Sequence, residues 1–192
     1  MKKVGVLALQ GDFEAHSRAL ARAGAKPVLA RTASDLDGLD GLVIPGGEST
    51  TMLKLMNAED MIRPLVEFGR RRPIFGTCAG AILLASEVTH PAQQSLGLMD
   101  LTVERNAYGR QIDSRVAKLT PETGFGQRTQ SGDLEAVFIR APIIRRVGPN
   151  ATVLASYEGD PVLVEQGRHL VATFHPELSS DSRVHELFIS KL

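Results

Sequence analysis

The chain has 192 residues, of which 43% are hydrophobic and 23% charged, and its 22 basic side chains balance its 22 acidic ones. This length and composition predict one globular domain over residues 1–192, and the zero net charge gives no electrostatic reason to expect nucleic-acid or membrane binding. No apolar run is long enough to span a bilayer and the start lacks a signal-peptide pattern, so we expect a cytoplasmic protein. The single cysteine, Cys78, excludes an internal disulfide and a multi-thiolate metal site.

Short apolar segments alternate with helix-like segments over the first ninety residues. The expected strands are residues 3–9, 27–30, 41–44 and 73–75. The expected helices are residues 12–23, 50–56, 62–70 and 79–86, the first with Asp12 as its N-cap and Gly24 just beyond its end. Strands and helices that alternate in this way form parallel βαβ units. The sequence therefore predicts an α/β fold with an open, mostly parallel, doubly wound sheet and helices on both faces.

The second half contains more strands and fewer helices. Its strand-like segments are residues 100–104, 115–119, 136–140, 152–157, 161–165 and 169–174, and residues 182–191 have the pattern of a closing helix. We expect these strands to extend the same sheet, some of them as antiparallel edge strands. Residues 120–133 are polar and rich in Gly and Thr, which predicts a surface loop.

Cys78 lies in the sequence Gly76-Thr77-Cys78-Ala79-Gly80, between an expected strand and an expected helix. A G-x-C-x-G pattern at such a junction is typical of a nucleophile elbow, because small neighbours allow a sharp turn that projects the central side chain beyond the strand. The helix start favours a thiolate, and the Ala79 N–H is available to an oxyanion since the first amides of a helix have no intrahelical partner. The alternative is that Cys78 is a small buried hydrophobic residue.

A thiol nucleophile needs a base, and the base needs an orienting group. His175 follows an apolar strand, and Glu177 lies two residues later, on the same side of an extended segment. Ligands of an open α/β sheet gather at the carboxyl ends of its strands, where Cys78 is also expected. The spacing predicts that Glu177 orients His175, although a turn without a catalytic role has the same sequence. The other histidines are expected to be solvated or hydrogen-bonded without a catalytic role: His16, His90, His169 and His185.

The sequence Pro45-Gly46-Gly47-Glu48-Ser49 follows the third expected strand. Glycines at this position allow backbone N–H groups to point into a site and to form the second half of an oxyanion hole. An ordinary turn or a phosphate-binding loop has a similar composition. Neither G-x-x-x-x-G-K-[ST] nor an early G-x-G-x-x-G is present, which argues against a nucleotide site.

Together these motifs resemble the triad-type, class I glutamine amidotransferases, and among them the glutaminase subunits of pyridoxal 5′-phosphate synthase. The resemblance extends over almost the whole chain. It rests on six segments, of which the second and fourth are the narrowest: residues 5–11 (GVLALQG), 45–51 (PGGESTT), 75–80 (FGTCAG), 104–111 (ERNAYGRQ), 138–142 (FIRAP) and 174–178 (FHPEL).

The resemblance implies a class I glutamine amidotransferase-like, flavodoxin-like sheet and a Cys78–His175–Glu177 triad that hydrolyses L-glutamine to glutamate and ammonia. It implies that the N–H groups of Gly47 and Ala79 hold the oxyanion. The implied substrate-binding positions are Gly47, Glu48, Ser49, Arg105, Ile139 and Arg140. The ammonia would pass to a partner, a (β/α)₈-barrel synthase subunit, and this chain would need no cofactor and no metal. The resemblance also places Gln10 near a strand end, where it implies a link between partner docking and the oxyanion hole.

Two alternatives remain open. Cysteine peptidase and chaperone proteins share this type of sheet and elbow, but they generally place a histidine directly after the nucleophile, where this chain has Ala79. A non-catalytic binding subunit would keep the fold and leave the thiol unreactive.

Overall fold

The computed structural model describes residues 1–106 and 114–192, in which the chain forms twelve strands, six α-helices and two short 3₁₀ helices. The strands are β1 (Lys3–Leu7), β2 (Lys26–Ala30), β3 (Gly41–Ile44), β4 (Ile74–Thr77), β5 (Ala85–Thr89), β6 (Met99–Glu104), β7 (Arg115–Leu119), β8 (Leu134–Phe138), β9 (Ile143–Val147), β10 (Thr152–Tyr157), β11 (Asp160–Gln166) and β12 (His169–Ala172). The helices are α1 (Phe13–Arg22), α2 (Ser49–Ala58), α3 (Ile62–Arg71), α4 (Ala79–Leu84), α5 (Thr123–Arg128) and α6 (Arg183–Ile189), with 3₁₀ turns at Ala33–Leu36 and Pro176–Leu178.

Seven strands form the central sheet, in the order β10-β11-β12-β4-β3-β1-β2. Five neighbouring strands of this sheet run parallel to one another: β12, β4, β3, β1 and β2. The last two, β11 and β10, add an antiparallel edge beside β12. The parallel part has the 2-1-3-4-5 order of flavodoxin-like doubly wound sheets. The predicted fold class is confirmed, and the carboxyl ends of β3, β4 and β12 lie side by side.

Alternate residues of the parallel strands pack on opposite faces of this sheet. In β3, Leu42 and Ile44 join the core beneath α2, α3 and α4, whereas Val43 joins the core beneath α1 and α6. Strands covered on both faces must be apolar at every position, which is why they appear in the sequence as short continuous apolar runs. Within the described ranges, no helix has the length and the apolar run that crossing a membrane would require.

The second half departs from the expected single extended sheet. Only β10, β11 and β12 join the central sheet, while β5-β6-β9 and β7-β8 form separate small sheets. Strands β5 and β9 have no counterpart in the predicted elements, and α4 ends at Leu84 where the predicted helix continued to residue 86. The expectation that all later strands extend one sheet is therefore wrong.

The polar stretch 120–133 is not a loop throughout, because it contains helix α5. Phe125 in this helix is fully buried, and the Glu122 N–H that precedes it donates to the Leu154 carbonyl oxygen at 2.8 Å. A single aromatic anchor among Gly, Thr and Gln was enough to fold the segment onto β10. Of the motif at 104–111, residues 107–111 lie outside the described residues.

Candidate active site

Cys78 lies at the turn between β4 and α4, with a left-handed backbone, φ 49° and ψ −104°. The turn is tight, and its glycines lie in direct contact with the backbone of other residues. A Cβ at Gly76 would lie 2.5 Å from the Gly80 carbonyl carbon, and one at Gly80 would lie 2.1 Å from the Ile44 carbonyl oxygen. The strained conformation predicted from G-x-C-x-G is thus present, held by close packing that only glycine permits.

His175 is brought to Cys78 by backbone hydrogen bonds between neighbouring segments. The Cys78 N–H donates to the Ala172 carbonyl at the end of β12, at 2.8 Å, and the His175 N–H donates to the Val137 carbonyl of β8, also at 2.8 Å. On the side chain, His175 Nδ1 lies 2.7 Å from Glu177 Oε1. Since Nδ1 is taken by Glu177, Nε2 is the ring nitrogen left for the hydrogen bond with Cys78.

The electrostatics of His175 are dominated by these two partners. Burial is the largest single influence and lowers the His175 pKa, but the hydrogen bonds to Cys78 and Glu177 and the negative charges of both outweigh it, so the pKa rises to about 10. The imidazole therefore carries a proton at neutral pH and presents a positive charge to the sulfur.

The glycines after β3 approach the same two side chains. A Cβ at Gly46 would lie 2.5 Å from His175 Cε1 and 3.3 Å from Cys78 Cβ, so a side chain there would displace the imidazole. At the next residue, a Cβ on Gly47 would lie 2.3 Å from Gln10 Oε1, which accepts a 3.0 Å hydrogen bond from the Glu48 N–H. The backbone of this loop thus packs closely against both Cys78 and His175.

A cavity of ≈ 360 Å³ opens above Cys78. Every residue predicted for catalysis, the oxyanion hole or substrate binding lines it except Glu177, which is buried behind His175. The lining residues from the prediction are Gly47, Glu48, Ser49, Cys78, Ala79, Arg105, Ile139, Arg140 and His175, joined by Gln10, Ile82, Asn106 and Pro142. Among the described residues, no three His, Cys, Asp or Glu side chains form a group that could hold a metal ion.

Glu48 has a second task that the sequence analysis did not anticipate. Its carboxylate caps α2, accepting from the Thr50 N–H at 3.0 Å and from the Thr51 N–H at 2.7 Å. The hydrogen bond from the Thr51 hydroxyl is the largest influence on the Glu48 pKa, and burial, which raises the pKa, comes second. The two amides act with the hydroxyl, so the pKa falls to about 2. Arg105 Nη2 lies 3.9 Å from Glu48 Oε1 and donates to the Thr50 hydroxyl at 2.7 Å. The cavity wall thus carries both signs of charge.

Ile139 and Arg140 line the cavity because β8 ends sooner than predicted, at Phe138. Arg140 has a left-handed φ of 44°, so the chain turns sharply there and cannot continue the strand. On the opposite wall, the buried Ser49 donates its hydroxyl to Gln93 Oε1 at 3.2 Å. Gln93 was not among the predicted site residues, and its position in a polar stretch of sequence gave no sign of this contact.

Two histidines that were not predicted as site residues lie behind the triad. His16 on α1 and His185 on α6 are fully buried, although they were expected to be solvated or hydrogen-bonded without a catalytic role. His16 Nδ1 lies 3.1 Å from His185 Nε2, and His16 Nε2 lies 2.9 Å from Thr77 Oγ1 and 3.2 Å from Glu177 Oε2. Both histidines are hydrogen-bonded, which was one of the two expected outcomes, and neither is solvated. His16 also lies next to Glu177 of the triad.

The fold has a close counterpart among solved structures. A crystal structure of a glutamine amidotransferase superposes with a TM-score of 0.89 at 43% identity, covering 98% of this chain and 97% of that one. The doubly wound sheet and its helices are therefore those of the class I glutamine amidotransferases.

Sequence comparison places the chain more narrowly. Residues 6–192 match the SNO glutamine amidotransferase family, and the chain belongs to that family. It is 65% identical over 192 residues to the pyridoxal 5′-phosphate synthase subunit PdxT of Solibacter usitatus, covering 100% of both chains. It is 54% identical over 187 residues to the PdxT subunit of Koribacter versatilis, covering 97% of this chain and 94% of that protein.

Proposed function

We propose that this chain is the glutaminase subunit of a pyridoxal 5′-phosphate synthase, and that it hydrolyses L-glutamine to L-glutamate and ammonia at Cys78. One observation carries the assignment of the residues. His175 lies between Cys78 and Glu177 at the meeting point of three strand ends, and its Nδ1 is 2.7 Å from Glu177 Oε1. A nucleophile, a base and an orienting carboxylate are the three parts that acyl transfer requires.

The reaction follows from this arrangement in two stages. The Cys78 sulfur attacks the side-chain amide carbon of glutamine, and the N–H groups of Gly47 and Ala79 stabilise the negative oxygen of the tetrahedral intermediate. His175 takes the thiol proton and passes it to the departing nitrogen, so the C–N bond breaks, ammonia leaves and a γ-glutamyl thioester remains. The neutral imidazole then takes a proton from water, which attacks the thioester and releases glutamate. Glu177 keeps the imidazole in one tautomer and stabilises its positive charge through both stages.

Glutamine is a zwitterion, and the cavity offers groups for both of its charges. The guanidinium groups of Arg105 and Arg140 suit the α-carboxylate, and the carboxylate of Glu48 suits the α-ammonium group. Ser49 and Ile139 complete the substrate-binding positions. Because Glu48 already caps α2, binding of the ammonium would add a partner to a carboxylate that is fixed in place beforehand.

The partner in this proposal is a separate synthase subunit with a (β/α)₈ barrel, which receives the ammonia and combines it with a pentose phosphate and a triose phosphate. This division of labour fits the composition of the chain. It has no net charge and no phosphate-binding motif, and a glutaminase subunit needs neither.

The test measures ammonia and glutamate released from L-glutamine by the full chain, alone and with the synthase subunit. We expect turnover with the partner present, and a loss of at least about 10³-fold in Cys78→Ala, since removing a triad nucleophile leaves only binding and the oxyanion hole. Gly124→Ala, a change outside the cavity whose methyl group would meet no described atom within 4 Å, is the control and should retain turnover. Unchanged turnover in Cys78→Ala would exclude the proposal.

Two further measurements on this chain test the alternatives of a non-catalytic binding subunit and a cysteine peptidase. Cys78 is the only thiol, so alkylation by iodoacetamide reports on this side chain alone. A rate no faster than that of a free cysteine, with glutamine and partner present, would favour a non-catalytic binding subunit. Hydrolysis of a peptide panel without ammonia release from glutamine would favour a cysteine peptidase.

A further inference from the structure

The carboxylate of Glu177 is held between two histidines, only one of which belongs to the triad. Its Oε1 faces His175 Nδ1 at 2.7 Å, and its Oε2 faces His16 Nε2 at 3.2 Å. The side chains of both Glu177 and His16 have no exposed surface. Oε2 makes no aligned hydrogen bond among the described residues, and His16 Nε2, at 3.2 Å, is the polar atom that lies beside it. A buried carboxylate oxygen needs a polar hydrogen, and His16 is the side chain placed to present one.

His16 is itself fixed on both ring nitrogens. Nε2 makes its aligned hydrogen bond with Thr77 Oγ1 at 2.9 Å, next to the nucleophile in sequence, while the same nitrogen lies beside Glu177 Oε2. Nδ1 contacts His185 Nε2 at 3.1 Å. The ring is therefore tied to β4, to the 3₁₀ turn that carries Glu177 and to α6, which leaves it little freedom to rotate.

Both buried histidines are neutral. Burial, followed by the charges of His185 and His175, lowers the His16 pKa well below its usual value, and burial, followed by Arg22, lowers the His185 pKa to about 4. Each ring thus carries one N–H, and the question is on which nitrogen.

Two contacts select the tautomer. If His16 carried its proton on Nδ1, the lone pair of Nε2 would face a carboxylate oxygen at 3.2 Å, which is repulsive. His185 would then have to carry its own proton on Nδ1, a buried atom without a hydrogen-bond partner in the described part of the chain. With the proton of each ring on Nε2, His185 donates to His16 Nδ1, His16 donates toward Thr77 and Glu177, and the unpartnered His185 Nδ1 is only an acceptor.

We infer that His16 is a positioning residue of this site: as the neutral Nε2–H tautomer it presents its N–H to Glu177 Oε2 and so holds the carboxylate in the orientation that His175 requires. His185 supports it by donating to Nδ1. His16 does not line the cavity and acts only through Glu177. This inference rests on the proposed glutaminase function, which it extends by one more residue.

The test compares two substitutions in the full chain with its partner subunit. His16→Leu has a similar volume and no donor, and we expect kcat for glutamine hydrolysis to fall about 10- to 100-fold, the effect of losing a hydrogen bond to a charged group, with KM changed less than about twofold. His16→Gln keeps an N–H near the Nε2 position and should retain kcat within about fivefold. His169→Asn is the matched control, since His169 is another buried histidine, bonded to the Ile74 N–H at 3.2 Å and remote from the triad.

A pH profile gives a readout that mere loss of packing would not move. We expect the limb of the kcat profile that reports on His175 to shift to lower pH in His16→Leu, because a Glu177 carboxylate that is no longer held in place raises the His175 pKa less. The titratable groups that face His16 are Glu177 and His175 from the segment after β12 and His185 from α6, with Arg22 acting on His185. All of these groups are kept in His16→Leu, so the shift reports on the loss of the His16 ring, and the comparison with His16→Gln separates its N–H from its packing.

Each outcome decides the inference. Wild-type kcat and pH profile in His16→Leu, or an equal loss in His16→Gln and His16→Leu, would overturn it. If His16→Leu does not fold, ¹⁵N NMR of histidine-labelled wild-type protein decides: a neutral Nε2–H ring at pH 7, assigned by its loss in His16→Gln, supports the inference, and an Nδ1–H or protonated ring overturns it. Failure of the proposed function would appear separately, as no ammonia release by the wild-type complex.

Discussion

The backbone at Cys78 stores strain whose size can be measured independently of catalysis. A residue with a side chain at φ 49° and ψ −104° costs about 1–3 kcal/mol, and glycine avoids most of that cost. We therefore compare Cys78→Gly with Cys78→Ala. Both variants lack the thiol, so their difference isolates the effect of the backbone and of one methyl group.

Two opposing terms set the expected magnitude. Replacing alanine by glycine at an unstrained buried position costs about 0.5–1 kcal/mol in backbone entropy and about 0.8 kcal/mol for the lost methyl group. At position 78 the relief of strain offsets this cost, so Cys78→Gly should be about as stable as Cys78→Ala or slightly more stable. The matched control adds Ala79→Gly to Cys78→Ala, because Ala79 is also buried and is the first residue of α4.

The quantity to compare is the free energy of unfolding in urea, followed by far-UV circular dichroism because the chain has no tryptophan. We expect the glycine at position 78 to be less destabilising than the glycine at position 79 by about 2 kcal/mol, with equal m-values. Equal losses at the two positions would refute the reasoning, because they would mean that the turn after β4 holds no strain for glycine to release.

Two further predictions concern residues around the site. Gly46→Ala places a methyl group 2.5 Å from His175 Cε1, so the ring must move and glutamine turnover should fall about 100-fold. The control is Gly124→Ala, whose methyl group meets no described atom within 4 Å and which should leave turnover unchanged. Turnover within twofold of wild type in Gly46→Ala would contradict the close contact with His175. Burial, its largest cause, lowers the pKa of His169 to about 4, so the unfolded chain binds the extra proton first. The contribution of His169 to the free energy of unfolding is complete above about pH 6.5 and should fall by about 1.4 kcal/mol per pH unit as pH drops toward 4. In urea unfolding measured across this range, His169→Asn should reduce the slope by this amount, while His16 and His185, whose pKa values are also lowered, keep their own contributions.

The parallel half of the fold was predictable because its strands are buried on both faces. Residues 41–44 and 74–76 contain no polar side chain, and a helix follows each run within five residues. Strand β9 lacked this signal, because its Arg145 and Arg146 face acidic side chains of β6 across an exposed ladder. Arg146 Nη2, for example, lies 2.5 Å from Asp100 Oδ1. Ile144 of this strand is buried in the core, but the two charged residues that follow it interrupt the apolar pattern.

Cys78, His175 and Glu177 were predictable as a group because each one follows a recognisable strand within a few residues. Strand order in a doubly wound sheet then brings the ends of β4 and β12 together without further information. The capping of α2 by Glu48 was not predicted, although Glu48 is followed within three residues by the hydroxyl and amides that it binds. An acidic residue at a helix start is ambiguous when a charged substrate is also expected nearby.

For His16, the sequence pattern predicts burial but not the residues that it contacts. It precedes Leu20 by four residues and Ala19 by three, so its helical phase places it on the face of α1 that covers the sheet. This phase was a usable sign of burial. It gave no indication of the neighbour, because that depends on where α1 crosses the sheet, here above the end of β4 and against the turn that carries Glu177. The helical phase of His16 thus predicts that it is buried, whereas the strand order predicts which strand ends meet. A positioning role depends on both, so a sequence search confined to strand ends finds Cys78, His175 and Glu177 but not His16.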